Sequence, residues 1–308
     1  MKKIFIDGSA GTTGLRIFER ISKRDDISLI TLPEEKRKDS EARRAALNEA
    51  DIAMLCLPDA ASIEAVSMIE NENTVVLDTS TAHRVAPGWA YGFPELSESF
   101  KENILSSKRI AVPGCHAGGY IALVYPLVEA GIIKKDAALA CFSLTGYSGG
   151  GKSMIADYND VEKNDMLKAP RQYALSQSHK HLSEMAIISG TAKPVFCPVV
   201  GNFYSGMQVS VPLHASDISS GADISGIAEV YKKKYNGQIV SYADMSDGGF
   251  LSATALEGKD GMSICVFGND DRIILTAVYD NLGKGASGAA IECLNMVMGV
   301  DITTGLCL

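Results

Sequence analysis

Cys115 is the residue whose type and position most clearly suggest chemistry. It stands in RIAVPGCHAGGY, where it follows a strand-like apolar run, Ile110 to Val112, and opens a small-residue segment able to start a helix. A thiolate at a helix N-terminus is stabilised by free backbone N–H groups and by the helix dipole, which lower its pKa below the usual value of about 8.5. This position predicts a reactive nucleophile, against the alternative of a structural cysteine.

A pair of histidines offers acid–base groups further along the chain. The stretch SQSHKHLSEM places His179 and His181 on either side of Lys180, with Glu184 three residues after His181. If this segment is helical, Glu184 can hold the ring of His181, whereas His179 points elsewhere. The alternative is a solvated polar helix. No third ligand lies close in sequence, so we expect no metal site.

A glycine-rich turn follows the first apolar run, in DGSAGTTGLRIFER. Its G-x-x-G-x-x-G spacing differs from the common G-x-G-x-x-G, but it stands at the junction of the first predicted strand and helix. Glycines there let the backbone approach a pyrophosphate, whose charge the helix N-terminus stabilises. The pattern favours a dinucleotide site over a merely tight turn. The predicted loop comprises Gly8, Ser9, Gly11, Thr12, Thr13 and Gly14.

A cationic cluster, formed by Lys36, Arg37 and Lys38, follows the second predicted strand. Glu34 and Glu35 could accept hydrogen bonds from the ribose of NAD, but three cations at this position suit the 2′-phosphate of NADP. The sequence therefore favours NADP, and the alternative for the cluster is a solvated loop.

Composition sets the class of protein without giving a function. The 308 residues are 46% hydrophobic and 21% charged, as expected of a globular chain with two domains. The net charge of −8 makes nucleic acid an unfavourable partner. We expect no signal peptide, no membrane span and a cytoplasmic location, because Asp7 interrupts the first apolar stretch. Seven scattered cysteines indicate reduced thiols rather than a disulfide framework.

The order of the predicted elements indicates an α/β fold. In the first third, strand-like and helix-like segments alternate with short links, which predicts a Rossmann-like, doubly wound parallel sheet. After Cys115 we predict a helix from Tyr120 to Ala130 and then long alternating runs, typical of an α+β domain with a mostly antiparallel sheet. The apolar C-terminal helix should pack back on the first domain. The predicted domains are residues 1–114 with 284–308, and residues 115–283.

Seven motifs occur in a recognisable order: GSAGTTG, DTSTAHR, YGFPEL, VPGCHAGG, GYSGGGK, HKHLSE and NLGKGASGAA. In this order the chain resembles the shorter form of the N-acetyl-gamma-glutamyl-phosphate reductases. The related aspartate-semialdehyde dehydrogenases share single motifs, whereas YGFPEL together with the H-x-H-x-x-E pattern indicates the reductases.

The resemblance implies a role for several residues. Cys115 is the nucleophile, and His181 with Glu184 is the acid–base residue. The glycine-rich turn holds the pyrophosphate of NADP, while Ser80, Thr81 and Asn281 approach its nicotinamide half. The GYSGGGK segment, with Ser148 and Gly149, resembles a flexible segment that closes beside cofactor and substrate; a mobile hairpin-like loop is the alternative. Arg84 and Arg171 are candidates to bind the substrate's carboxylate or phosphate, with a surface role as the alternative, and His179 is a further candidate to bind substrate.

The implied reaction is the NADPH-dependent reduction of N-acetyl-gamma-glutamyl phosphate to the 5-semialdehyde, with release of phosphate, in arginine biosynthesis. Two alternatives stay open: the same chemistry on aspartyl phosphate or an acyl-aminoadipyl phosphate, and a non-catalytic NADP-sensing protein. An apolar sheet in the second domain predicts a homo-oligomer, either a dimer or a tetramer.

Overall fold

The computed structural model describes residues 1–219 and 221–308. The chain folds into two compact units. The first unit is Met1–Gly114 with Ala286–Leu306, and the second is Cys115–Gly285 with Cys307–Leu308.

Strands and helices are numbered here in chain order. The strands are β1 (Lys2–Asp7), β2 (Ile27–Ile30), β3 (Ile52–Leu55), β4 (Val75–Asp78), β5 (Ala90–Tyr91), β6 (Arg109–Ala111), β7 (Ala140–Gly146), β8 (Arg171–Gln172), β9 (Val195–Gly201), β10 (Met207–His214), β11 (Val240–Tyr242), β12 (Met262–Asn269) and β13 (Arg272–Tyr279). The α-helices are α1 (Thr12–Ile21), α2 (Ser40–Glu49), α3 (Asp59–Ser67), α4 (Glu98–Ser106), α5 (Cys115–Glu129), α6 (Gly151–Asn159), α7 (His181–Ser189), α8 (Ile224–Lys234) and α9 (Gly288–Met298).

The described residues of the first unit form a six-stranded sheet in the order β2-β1-β3-β4-β6-β5, and all neighbouring strands are parallel. Alternate residues of each strand enter separate cores. Ile4 and Ile6 pack with α1, α4 and α9, whereas Phe5 packs with α2 and α3. Because helices cover both faces, the strands read as continuous apolar runs. Parallel strands also bring their carboxyl ends, and the segments that follow them, to one edge of the sheet.

In the described part of the second unit, seven strands form a mixed sheet in the order β11-β12-β13-β10-β7-β9-β8. The pairs β11 with β12 and β7 with β9 are parallel, and the other neighbours are antiparallel. Helices α5 and α8 pack on one face. On the other face, Phe142, Val195 and Ile274 are exposed. One face of the sheet is therefore buried, and the other presents apolar side chains to the surface.

Helix α5 begins earlier than the sequence predicts. The predicted helix runs from Tyr120 to Ala130, but the observed helix starts at Cys115 and contains His116 to Gly119, whose small residues hide its periodicity. Pro126 lies inside the helix, where its ring is tolerated by the surrounding packing. The early start places Cys115 in the first turn.

Candidate active site

Cys115 is the first residue of the 15-residue helix α5, and no acidic side chain occupies that helix's first turn. The thiol is half-buried. The hydroxyl of Tyr279, at the end of β13, donates to the carbonyl oxygen of Cys115. The helix N-terminus is thus held against the sheet, with its dipole aligned to stabilise a thiolate.

Gly285 lies directly against Cys115. A Cβ atom built on Gly285 would stand 3.1 Å from the Cβ of Cys115 and 3.1 Å from the carbonyl oxygen of Asp280. The backbone N–H of Gly285 donates to that same carbonyl, at 3.0 Å. A Cβ at this distance would require its neighbours to move by a few tenths of an ångström, so the backbone of Gly285 forms one wall beside the thiol.

Three imidazole rings gather in the second unit. The ring of His116 lies 5.5 Å from that of His181 and 5.9 Å from that of His179, and the rings of His179 and His181 are 4.7 Å apart. Phe196 of β9 packs edge-on against His116 and His179. His116 follows Cys115 directly, so the cluster belongs to the environment of the thiol.

The expectation that His179 points away from Glu184 stays a prediction. It assumed a helix through His179 and His181, but α7 begins at His181, with Lys180 as its N-cap. His179 therefore precedes the helix, and its Nδ1 accepts a hydrogen bond from the backbone N–H of His181 at 3.2 Å. Glu184 lies in the first turn of α7 and is buried, as is His181. The pairing of Glu184 with the ring of His181 stays a prediction.

Two residues of this cluster were missed by the sequence analysis, His116 and Tyr173. His116 Nδ1 lies 2.6 Å from Ser143 Oγ, and its Nε2 lies 2.6 Å from the Tyr173 hydroxyl. The position of His116 next to Cys115 was a visible signal. Tyr173 gave none, because its place depends on the pairing of β8 with β9.

Arg171 lies on β8, two residues before Tyr173. Its guanidinium donates to the hydroxyl of Tyr158 at 3.2 Å and lies 5.6 Å from the centre of that ring. Among the described residues, its buried Nε has no hydrogen-bond partner. A guanidinium held this way can donate hydrogen bonds to a carboxylate or phosphate.

Arg84, the other predicted substrate ligand, is buried and bound to the main chain. Its Nε donates to the carbonyl of Val112 at 3.0 Å, and its Nη2 donates to the carbonyl of Thr79 at 2.9 Å. These contacts give it a structural function at the ends of two neighbouring strands. Arg171 is therefore the stronger candidate for a substrate ligand.

The glycine-rich turn joins β1 to α1 as the sequence predicts. Gly8 has φ +88°, and a Cβ there would stand 2.3 Å from the carbonyl oxygen of Cys56, while one on Gly14 would stand 2.3 Å from that of Gly8. Helix α1 has no side-chain cap and no acidic residue in its first turn. Among the described residues, the buried Thr12 Oγ1 has no hydrogen-bond partner. These free donors at a helix N-terminus fit a dinucleotide pyrophosphate.

Two other groups of the first unit lie at the same carboxyl edge of its sheet. Lys36, Arg37 and Lys38 follow β2 and are all exposed. Ser80 follows β4, and its hydroxyl donates to Asp78 at 2.7 Å, while Thr81 donates through both its N–H and its hydroxyl to Asp59. Because the hydroxyl groups of Ser80 and Thr81 donate their protons to carboxylates, their oxygens can still accept hydrogen bonds from amide or ribose donors.

Asn281 and the GYSGGGK segment are bound to each other. Asn281 donates to Ser148 Oγ at 3.0 Å and accepts from the backbone N–H of Gly206 at 3.0 Å. Gly149 lies beside them: a Cβ atom built on Gly149 would stand 3.5 Å from the side-chain amide nitrogen of Asn281. Residues Tyr147–Gly150 form a 3₁₀ turn that leads into α6. The flexible closing segment and its alternative, a mobile hairpin-like loop, both stay predictions.

Two classes of site are absent from the described residues. Across residues 1–219 and 221–308, no group of three or more His, Cys, Asp or Glu side chains is arranged to hold a metal ion. Over the same residues, no helix combines the length and the apolar character that crossing a bilayer requires.

Comparison with known proteins identifies the family. A family model described as semialdehyde dehydrogenase, NAD binding domain, matches residues 32–104, and one described as semialdehyde dehydrogenase, dimerisation domain, matches residues 115–281. The N-acetyl-gamma-glutamyl-phosphate reductase of Brucella ovis is 44% identical over 306 residues, which cover 96% of this chain and 99% of that protein. This chain belongs to the N-acetyl-gamma-glutamyl-phosphate reductase family.

A second curated relative agrees with this assignment. The N-acetyl-gamma-glutamyl-phosphate reductase of Trichormus variabilis is 43% identical over 318 residues, 99% of each chain. The resemblance inferred from the motifs is confirmed, and so is the class of enzyme, a phosphorylating aldehyde oxidoreductase. Binding of a nicotinamide dinucleotide by the first unit is confirmed at the level of the family, and the preference for NADP stays a prediction.

Solved structures share the fold. Aspartate semialdehyde dehydrogenase II of Vibrio cholerae, complexed with ASA, has a TM-score of 0.72 at 16% identity, with 97% of this chain and 98% of that chain covered. The Candida albicans enzyme, solved with NADP, has a TM-score of 0.68 at 15% identity, with 98% and 99% covered. Together with the family models, the two observed sheets confirm the predicted α/β class.

Proposed function

We propose that this protein reduces N-acetyl-gamma-glutamyl phosphate to N-acetylglutamate 5-semialdehyde with NADPH, through a thioester on Cys115. The observation that carries the proposal is the position of Cys115 at the first residue of α5, beside a cluster of histidines. An acyl phosphate needs a nucleophile that can expel phosphate, and a thiolate at a helix N-terminus meets that need.

Cys115 acts first in the proposed reaction. Its thiolate attacks the gamma-acyl carbon, a carbon–sulfur bond forms, and the carbon–oxygen bond to phosphate breaks with the electron pair leaving on phosphate. NADPH, when bound, supplies the hydride that reduces the thioester carbon. The resulting hemithioacetal oxyanion collapses to the aldehyde, and the electron pair of the carbon–sulfur bond returns to Cys115.

His181 is the proposed acid–base residue. It begins α7 within the ring cluster, and a proton held on its imidazole stabilises the oxyanion and the departing thiolate. Proton transfer of this kind contributes about 10²- to 10⁴-fold to a rate. Glu184, one turn along α7, favours the protonated ring. His179 and Arg171 are proposed to bind the substrate's polar groups.

The first unit is proposed to bind NADPH. The N–H groups of the glycine-rich turn would bind the pyrophosphate, with Thr12 Oγ1 as a further donor. Lys36, Arg37 and Lys38 hold the 2′-phosphate, since exposed cations after β2 stand where the adenosine ribose is recognised. Ser80, Thr81 and the Asn281–Ser148 pair are proposed to contact the nicotinamide half. The Candida albicans relative solved with NADP supports this choice of cofactor.

The second unit is proposed to form a homodimer through the open face of its sheet. The match to a dimerisation domain covers residues 115–281, and the exposed Phe142, Val195 and Ile274 lie on strands within that range. An apolar face of this kind is stabilised by burial against a second copy.

The assay that tests the function runs the reaction backwards. N-acetylglutamate 5-semialdehyde, NADP and phosphate should yield NADPH, measured by absorbance, and omission of phosphate should stop turnover. Aspartate semialdehyde and an acyl-aminoadipate semialdehyde serve as competing substrates, and a higher kcat/KM for either would reassign the substrate. Absence of a stoichiometric thioester on incubation with acyl phosphate would instead favour a non-catalytic NADP-binding protein.

Substitution of the nucleophile gives the matching mutational test. Cys115→Ser should bind NADPH normally but lose turnover by several orders of magnitude, because an alkoxide is not available at neutral pH. Cys197→Ala is the control, since Cys197 is another half-buried thiol of the second unit. Substantial turnover in Cys115→Ser, or an equal loss in the control, would remove Cys115 from its role.

A further inference from the structure

His116 lies between two hydroxyl groups that come from different strands. Its Nδ1 is 2.6 Å from Ser143 Oγ of β7, and its Nε2 is 2.6 Å from the hydroxyl of Tyr173, just after β8. The side chain is 3% exposed, so both ring nitrogens are used within the protein. Through this ring, the first turn of α5 is bonded to the central part of the sheet and to its edge.

The ring of His116 is neutral at physiological pH. Burial, together with the neighbouring His179, lowers its pKa to about 3. A neutral imidazole has one donor and one acceptor, so the chain of hydrogen bonds from Ser143 to Tyr173 runs in a single direction. A ring with both nitrogens occupied and so low a pKa is a poor proton donor or acceptor for substrate.

Tyr173 needs such an anchor because its strand ends there. Its backbone N–H donates to the carbonyl of Pro198 at 3.0 Å, and the next residue, Ala174, has φ +54°. The chain leaves the sheet in a left-handed conformation that a non-glycine residue rarely adopts. Gln177, also at φ +54°, then pairs through its side-chain amide with the backbone of Phe196.

The Tyr173 hydroxyl lies at the start of α5, because the ring that it bonds belongs to His116, the residue next to Cys115. Burial raises the pKa of Tyr173, and the charge of Cys115 raises it further. The hydroxyl therefore keeps its proton when Cys115 is ionised. A protonated hydroxyl held near a thiolate stabilises that thiolate.

We propose that His116 is a positioning residue that holds the Tyr173 hydroxyl beside Cys115 and takes no part in proton transfer. Its kinetic test rests on the proposed function, whereas a second test does not. Among the imidazoles of the cluster, His116 thus supports the thiol, and the acid–base role falls to a different ring.

Two substitutions separate the halves of the chain. In His116→Gln, the amide reaches the place of Nε2 and can still bond Tyr173; in His116→Asn, the amide reaches only the place of Nδ1 and Ser143. We expect His116→Asn to lower kcat about 10- to 100-fold with KM changed by no more than about threefold. His116→Gln should recover most of that loss.

A double-mutant cycle connects the effect to Tyr173. Tyr173→Phe should resemble His116→Asn, and the double variant should be no slower than either single variant, because both remove one interaction. Tyr231→Phe is the matched control: its buried hydroxyl donates to the Leu123 carbonyl, farther along the same helix. The control should lower stability without changing kcat. Equal effects of Gln and Asn at position 116, or additive losses in the cycle, would overturn the proposal.

The second test needs no substrate. Alkylation of Cys115 by iodoacetamide at pH 7, followed by mass spectrometry of its peptide, should slow about three- to tenfold in His116→Asn and Tyr173→Phe, but not in His116→Gln. If the wild-type protein reduces no acyl phosphate while this order holds, the proposed function fails and the positioning role stands. If all variants react at the wild-type rate, the positioning role fails whatever the substrate.

Discussion

At the scale of single residues, the thiol is placed as much by its neighbours' size as by their charge. Gly285 has no side chain, and its backbone stands where any Cβ would press on Cys115. The hydroxyl of Tyr279, at the end of β13, donates a hydrogen bond to the carbonyl oxygen of the same cysteine. The thiol is therefore fixed in position by close packing, as the proposed attack on an acyl carbon would require.

Gly285→Ala should lower kcat about tenfold, because a Cβ at 3.1 Å displaces Cys115 by a few tenths of an ångström. Steady-state kinetics with the semialdehyde measure the effect. Gly237→Ala is the control, since a Cβ at Gly237 meets its first neighbour, the Val240 carbonyl oxygen, at 3.7 Å. If both variants kept wild-type kcat, Gly285 would have no part in holding the thiol.

At the scale of elements, the junction of β1 and α1 separates two uses of glycine. Gly14 is needed by the fold, because a Cβ atom there would stand 2.3 Å from the carbonyl oxygen of Gly8. A Cβ atom on Gly11 would stand 3.4 Å from the same oxygen and would meet no closer atom. Gly11 therefore has room beside it, which the proposed pyrophosphate would use. Stability and cofactor affinity should therefore respond differently to the two positions.

Gly14→Ala should lower the free energy of unfolding by about 1–3 kcal/mol, as expected for overpacking against main chain. Gly11→Ala should change it by less than about 0.5 kcal/mol, but should weaken NADPH binding at least about tenfold by blocking the pyrophosphate. Urea unfolding and NADPH fluorescence titration measure the two quantities. A stable Gly14→Ala protein, or unimpaired binding in Gly11→Ala, would contradict this division.

The segment after β2 is expected to set the choice of cofactor. Changing Lys36, Arg37 and Lys38 together to Gln should raise the Kd for NADPH at least about tenfold, because charge-assisted bonds to the 2′-phosphate are lost. The Kd for NADH, which lacks that phosphate, should change little. Changing Lys232, Lys233 and Lys234 of α8 to Gln removes the same charge elsewhere and controls for long-range effects. Equal weakening of both cofactors would return the segment to a solvated loop.

At the scale of the whole molecule, the second sheet has one face covered by helices and one open. Phe142, on the open face, is 51% exposed, although it lies on a central strand. Phe142→Asp should convert the homo-oligomer to monomer, because a charge cannot be buried there without a partner. Sedimentation or native mass spectrometry measures the change. Phe250→Asp removes an aromatic ring that is 81% exposed away from the sheet and should leave the assembly intact.

If the assembly survives Phe142→Asp, the interface lies elsewhere. If the wild-type protein is already a monomer, the proposed interface is excluded. The comparison with Phe250→Asp makes the test specific to the open face, since both changes remove an exposed phenyl group and add one negative charge.

Much of the architecture follows from local sequence. The doubly wound sheet, the glycine-rich turn and a helix soon after Cys115 were predictable, because apolar runs, strand–helix junctions and small-residue segments are determined by residues near one another in the chain. The family motifs are of the same local kind. They identify the class of enzyme, and predict the nucleophile, without any knowledge of packing.

Only the tertiary structure decided which side chains share a site. His179 and His181 lie together because α7 begins only at His181. The Tyr173 hydroxyl reaches His116 because β8 pairs with β9 at the edge of the sheet. Arg84 is bound to carbonyl groups that no spacing rule connects to it. Contacts of this kind join residues far apart in the chain: 57 positions for His116 and Tyr173, and 164 positions for Cys115 and Tyr279. Such pairs are set by sheet register and helix packing, which depend on the whole fold rather than on any one segment.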